Sequence, residues 1–435
     1  MPGRFASSRN DERVLGGEDR LMTDLCIRNA QLLDGTVNDI VIAGGEILAI
    51  APRLPSTAAP ELDAGGALVL PGLVDPHLHL DKALTSLALP ARAPGTFEES
   101  IELTLDARRR YTTEDLLQRG AHVLEQAIMH GTTALRAFAD VGTVGGLTPV
   151  KAVLSLRERF RALLDMQVVA FPQEGLLRDP GAADLLVEAM AMGCDVVGAF
   201  PWFELSDRYA VDHLRQVFDI ARQFDADVHA FVDDEPVAPH TRNLEQLAFA
   251  TIEAGWQERV VASHACGLAS YDDHSADRLI RLVREAGISI CANAHVSLVS
   301  KCEHAREPIP RGITRVRQLI AHGVNVTCGQ DDVADPYYPF GRADMLEVAG
   351  YLAHTAHLYR PEQAALVIDA ITVNAARAMR LKGYGLHVGA RADVVIFEQG
   401  QTASDLVRLQ PARRWVVRSG RVVAETEVRR NLLRT

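Results

Sequence analysis

The chain lacks any apolar run of the roughly 18 residues needed to span a bilayer, which excludes a membrane helix. No hydrophobic core follows the N-terminal MPGRFASSRNDERVLGGEDRLM, so residues 1–23 read as a polar, disordered extension and not as a secretory signal, with Met22 an alternative start. Cysteine is sparse: six residues, at 26, 194, 266, 291, 302 and 328, without a CxxC pair, as in a reduced cytoplasmic protein. Lysine is scarcer still; only Lys82, Lys151, Lys301 and Lys382 occur among 45 basic residues. Positive charge is short overall, 45 − 57 = −12, which argues against nucleic acid or an anionic membrane as partner. No Gly-rich phosphate loop and no Ser-His-Asp arrangement is found. What is present is length and apolar mass: 435 residues, 48% hydrophobic, enough for one large domain and a smaller one.

Short apolar runs recur from residue 68 on: LVLPGLV (68–74), TALRAFA (133–139), MQVVAF (166–171), CDVVGAF (194–200), ADVHAF (226–231), RVVASH (259–264), ISICAN (288–293) and NVTCG (325–329). Continuous apolar runs of this length suit parallel strands buried on both faces. Helix-patterned segments such as 112–131, 209–225 and 275–287 separate them. Eight strands alternating with helices predict an α/β fold, a (β/α)8 TIM barrel over 68–384, with a doubly wound sheet as the competing reading. Both flanks, 24–67 and 385–435, alternate apolar and polar residues around Gly turns. They predict antiparallel β structure that pairs into one small β-sandwich from the two chain termini. IVIAGGEILAI and WVVRSGRVVAE read as hairpins turned at glycine.

On a barrel, functional groups sit at the C-terminal ends of the strands. Four such ends carry metal-type ligands: His77 and His79 after strand one, His229 at strand five, His264 at strand six, and Asp331 after strand eight. Residues i and i+2 on an extended strand face one side, so His77 and His79 can grip one ion. Imidazoles with one carboxylate suit one divalent ion such as zinc or iron. A lone histidine at a strand end is more often a satisfied polar residue, and HxH alone is weak; the signal is the agreement of four separate elements. The other eleven histidines, His122, His213 and His322 among them, fall on helices or loops and read as surface residues.

The stretches PGLVDPHLHLDK, VVAFPQEGLL, CDVVGAFPWFE, DVHAFVDD, ASHA, RGITRV and GQDDVADPYYPFG resemble the cytosine deaminase branch of the amidohydrolase superfamily over about residues 25–425. FPQEG and DDVxDPxYPxG belong to that branch; HxH is shared by the superfamily. The resemblance implies a barrel with a terminal β-sandwich, and one divalent metal held by His77, His79, His229 and Asp331. His264 would hydrogen-bond the activated water or the oxyanion, and Asp331 would shuttle the water's proton. Gln173 would read a ring carbonyl and N–H, and Asp332 and Tyr337 would line the substrate pocket. A homo-oligomer is expected on the same ground.

One departure is plain. The branch carries HxxE at strand five, and here the position three after His229 is Val232, followed by Asp233, Asp234 and Glu235. One of these acids could replace the glutamate if the strand end is kinked. Lys82, three residues after His79, is the second candidate, as an acid with a pKa lowered by burial, or else a lysine salt-bridged to Asp81. This lysine resembles the N-isopropylammelide isopropylaminohydrolase branch, which removes an alkylamine from a triazine. Two-metal cyclic-amide hydrolases need a lysine on strand four, and CDVVGAF has none. A non-catalytic scaffold would show a broken ligand set, and this one is intact. The expectation is a cytoplasmic, mononuclear metal hydrolase of an exocyclic C–N bond on a small nitrogen heterocycle, with His264, Asp331 and Lys82 in catalysis. The exact substrate and the identity of the metal are left open.

Overall fold

The apolar runs become the strands of one parallel sheet: Leu73–His79, Thr132–Asp140, Asp165–Phe171, Val196–Ala199, Asp227–Val232, Val260–His264, Ser289–Cys291 and Val326–Thr327. The computed structural model describes residues 23–88, 96–235, 242–302, 307, 309–398 and 400–433. Each strand pairs with the next in sequence order, and a parallel bridge from Leu78 to Asp331 joins the first strand to the segment after the eighth. That bridge closes the sheet, and the fold is the expected (β/α)8 barrel. Its helices start where side-chain caps allow: Thr112 accepts from the Asp115 amide, Ser206 from Tyr209 and Asp272 from Ser275. Alternation along the strand Asp227–Val232 sends Val228, Ala230 and Val232 into the core shared with the helices, while His229 and Phe231 pack against His77 inside the barrel.

The run at 68–74 is two strands, not one. Val69–Pro71 pairs antiparallel with Val394–Phe397, outside the barrel, and the first barrel strand begins at Leu73. Gly72 marks the crossing, where a Cβ would fall 2.0 Å from Thr133 Oγ1. His77 and His79 therefore lie on the last residues of a barrel strand and not in the loop after it.

Two four-stranded sheets flank the barrel, one wholly from Thr23–Asp63 and one from Val69–Pro71 with Val394–Glu425. Ile27, Ile40, Ile42 and Ile47 of the first share a core with Val69, Val394, Ile396 and Val417 of the second, which makes a sandwich from both termini. Its hairpins turn at Gly44-Gly45 and at Ser419-Gly420, all four with positive φ, as two-residue β-turns of this hand require. The polar extension, residues 1–22, lies outside the described residues; Thr23 already belongs to the strand Thr23–Gln31. No described helix is long and apolar enough to cross a membrane, and all six cysteines are buried and free.

Candidate metal centre and substrate cavity

The barrel seam carries the centre. His77 and His79 project from the first strand into the barrel, with their Nε2 atoms 3.3 Å apart. Both face Asp331 Oδ1, at 3.2 and 3.4 Å. All three are buried, and Asp331 Oδ1 has no hydrogen-bond donor. Burial holds both imidazoles well below their ordinary pKa, so their lone pairs are available. Convergent neutral imidazoles and an unsatisfied carboxylate oxygen fit a divalent cation. His264 stands above, its Nε2 3.5 Å from Asp331 Oδ2 and without a hydrogen bond.

His229 is close but differently engaged. Its ring centroid lies 5.0 Å from that of His77, while its Nε2 meets Ser263 Oγ at 2.6 Å. The same hydroxyl meets His77 Nδ1 at 2.7 Å. Beneath it, Arg136 Nη1 lies 3.3 Å from His229 Nδ1, with Gln167 Oε1 as its other partner. The trio His77, His79 and Asp331 thus converges in the structure, and His229 sits one serine hydroxyl away.

Backbone conformation aims the groups. His264, Asn293 and Asp331 each take positive φ at their strand ends, 67°, 39° and 63°, which costs of order 1 kcal/mol or more each for residues with a Cβ. Asn293 Nδ2 donates to Asp331 Oδ2 at 3.2 Å and orients the carboxylate. Asp75, pushed up to about 7 by burial, accepts from the amides of His77 and Gln330 and ties the first strand to the last. Gly329 is required, because a Cβ there would meet His77 Cβ at 2.5 Å. Phe138 stacks on His77 with centroids 4.1 Å apart.

Above the centre a cavity is lined by Lys82, Gln173, Asp332 and Tyr337 together with Phe200, Phe231, Asp234, Val296 and Lys301 among others. All the expected pocket residues are here. Lys82 behaves differently from expectation. Burial alone would lower its pKa, but the charges of Asp140, Asp332 and Asp81 outweigh that and raise it above its ordinary value. Its Nζ donates to Gln173 Oε1 at 2.6 Å, and Asp81 Oδ1 accepts from the Lys82 amide instead of the ammonium. Burial moves both Asp331 and Asp332 upward.

The first two acids after Val232 have separate places. Val232 points into the helix-side core and is fully buried. Asp233 takes φ 45°, the kink that the sequence left as a condition, and its carboxylate caps the helix Asn243–Ala254 by accepting from the Asn243 and Leu244 amides. Asp234 is the acid that reaches the cavity: Oδ1 lies 3.1 Å from His264 Nδ1, not aligned as a hydrogen bond, and Oδ2 accepts from Lys301 Nζ at 2.7 Å. Two of the four lysines therefore line the cavity.

Two histidines read as surface residues are interior. His295 is buried and meets the Gln330 carbonyl at 2.7 Å. His213 is fully buried, with Nδ1 2.7 Å from Glu204 Oε1 and Nε2 accepting from the Phe200 amide at 3.0 Å. Glu204 also accepts from the amides of Leu176, Leu177 and Arg178, so this pair fixes the loop that carries Gln173. Asp234–Lys301 escaped the sequence because its partners lie 67 residues apart. His213 could have been found: it shares a helix face with the buried Ala210, Leu214 and Val217.

Comparison with known proteins agrees with this architecture. The sequence is 32% identical over 414 residues to N-isopropylammelide isopropyl amidohydrolase of Pseudomonas sp. (strain ADP), covering 93% of this chain and 98% of that one. It matches the crystal structure of 5-methylcytosine deaminase from Klebsiella pneumoniae liganded with 5-fluorocytosine with a TM-score of 0.89 and 31% identity, over 94% of this chain and 99% of the other. N-isopropylammelide isopropylaminohydrolase from Burkholderia multivorans ATCC 17616 matches with a TM-score of 0.82 and 30% identity, over 93% and 99%. Residues 97–424 match the amidohydrolase family model, and this protein belongs to the amidohydrolase family.

Proposed function

We propose that this chain hydrolyses an exocyclic C–N bond of a nitrogen heterocycle with the help of one divalent metal ion, zinc or iron. The observation that carries this reading is the convergence of His77 and His79 Nε2 on Asp331 Oδ1 at the floor of a cavity lined by both polar and aromatic side chains. His229 completes the ligand set. A divalent ion held there supplies Lewis acidity and a water of lowered pKa.

The chain's own residues do the rest. Asp331 takes the water's proton, and His264, 3.5 Å from it, stabilises the oxygen that becomes negative at the attacked carbon. Gln173 and Lys82 hold the ring. The leaving nitrogen must be protonated, and the family's glutamate is absent at Val232. Lys82 stays charged, which makes it an anchor; Asp234, beside His264, is the group placed to carry that proton. Removal of an alkylamine from a triazine is the second reading, favoured by the apolar wall of Phe200, Phe231 and Val296, which offers space for an N-alkyl group.

The test is metal analysis of the purified protein together with a turnover screen of aminated pyrimidines, N-alkylaminotriazines and pterins. Stoichiometric zinc or iron with turnover in one class is expected, and His229→Ala should lose metal and activity together. An active enzyme without a stoichiometric divalent ion would overturn the reading.

A further inference from the structure

Lysine offers three N–H donors and no acceptor. The Lys82 ammonium lies 2.6 Å from the Gln173 side chain, so the amide must turn its oxygen to the lysine and its NH2 away. The usual ambiguity of an amide's two ends is settled here by chemistry. Lys82 cannot easily leave: it is 2% exposed and set among Asp81, Asp140 and Asp332. Gln173 therefore turns its NH2 toward the cavity with one lone pair of its oxygen already engaged by Lys82. One of the two acceptor sites of its oxygen is taken within the protein, and the edge formed by the Lys82 ammonium and the Gln173 NH2 offers donors alone.

We propose that the ring edge bound against Lys82 and Gln173 carries hydrogen-bond acceptors only: a carbonyl oxygen beside a ring nitrogen that bears no hydrogen. A ring presenting a lactam edge there, with N–H beside C=O, would aim its N–H at the Gln173 NH2 and leave two donors face to face in a desolvated site. Among oxo-pyrimidines and oxo-triazines, the edge is acceptor-only where the nitrogen is the imine type, as in 2-oxo-4-amino rings, or where a dioxo ring has lost its imide proton. This deepens the proposed reaction and rests on that reading of the cavity as the ring site.

Uracil, 5-fluorouracil and 5-nitrouracil give the test, since their imide protons dissociate at successively lower pH and none carries an amine to be hydrolysed. Binding to the protein as purified is measured by calorimetry across pH. The expected result is an affinity rise of about 10-fold or more on deprotonation of the ring, with a midpoint that follows each ligand's own pKa. Gln173→Leu should cut the rise to about 3-fold or less, which separates the amide's share from any general attraction of a metal site for anions. Lys82→Met frees the amide oxygen, so the neutral rings should bind this variant about 10-fold better than they bind the parent. Equal binding of neutral ring and anion by the parent, or an undiminished rise in Gln173→Leu, would overturn the donor-only wall. Failure of all three rings to bind at any pH would instead overturn the cavity's assignment as the ring site.

Discussion

The Asp331 amide donates to the His77 carbonyl at 2.6 Å, and the Asp331 carbonyl accepts from the His79 amide at 2.8 Å. The two halves of the candidate metal centre are thus joined through the main chain, at the seam that closes the barrel. Their side chains converge because the backbones are hydrogen-bonded to each other. Asp331→Asn leaves these bonds intact. Its expected outcome is an unchanged far-UV circular dichroism spectrum and a metal affinity lower by about 10²-fold or more, read by competition with a chelator. Unfolding of this variant would show that the carboxylate, and not the main chain, holds the seam.

Asp233 and Asp234 are adjacent and have opposite duties. Asp233→Ala removes the acceptor for two helix-terminal amides and should cost about 0.5–2 kcal/mol in urea denaturation, with kcat within about 3-fold of the parent. Asp234→Asn keeps the shape and removes the charge beside His264. It should lower kcat by about 10² to 10⁴ with metal content retained. Comparable kcat losses in both variants would mean that the effect is structural.

This pair also shows where sequence reading stopped. The barrel was legible because its strands are continuous apolar runs separated by capped helices, and a period of two placed His77 and His79 on one face. Asp331 followed from position alone. Beyond Val232 the period fails, because the left-handed residue Asp233 turns the chain and sends the next carboxylate into the cavity. No pattern in sequence announces that turn. The partnership of Lys82 with Gln173 was hidden for a different reason: both were singled out, but a hydrogen bond across 91 residues is set by the packing of two loops. The split of 68–74 could be suspected at Pro71-Gly72, yet only sheet pairing separates its halves.

Restoring the family glutamate would therefore fail. Val232→Glu places a carboxylate in the helix-side core that also holds Val228, Ala230 and Ala265. The expected cost is about 3–5 kcal/mol, seen as a large fall in Tm or as insoluble protein, and no gain in cytosine turnover. Val232→Ala, which leaves only a small cavity, should lose less. A stable Val232→Glu protein with raised cytosine turnover would show that this residue reaches the active site.

The Glu204–His213 pair gives the fold an acid-sensitive support under the substrate loop. Burial lowers His213 from its ordinary 6.5, against the pull of Glu204. Burial alone would raise Glu204 from 4.5, but bonds from His213 and the Leu176 and Leu177 amides bring it lower. In both cases the unfolded chain binds the proton more readily than the folded one, so unfolding free energy rises with pH through each window. Stability from His213 is complete above about 6.5 and declines as pH falls below it; that from Glu204 declines below about 4.5. Protonating His213 Nε2 also removes the acceptor of the Phe200 amide. The parent should thus lose Tm between pH 7 and 5, and His213→Asn, less stable at pH 7, should lose less over the same range. Glu204→Gln exchanges an ionised acceptor for a neutral one beneath three amides, which loosens the loop. Its KM should rise about 10-fold while kcat changes less, since in the proposed reaction Gln173 holds the ring and does not react. A parent Tm that is flat from pH 7 to 5, with the same slope in His213→Asn, would remove the imidazole from the account of acid stability.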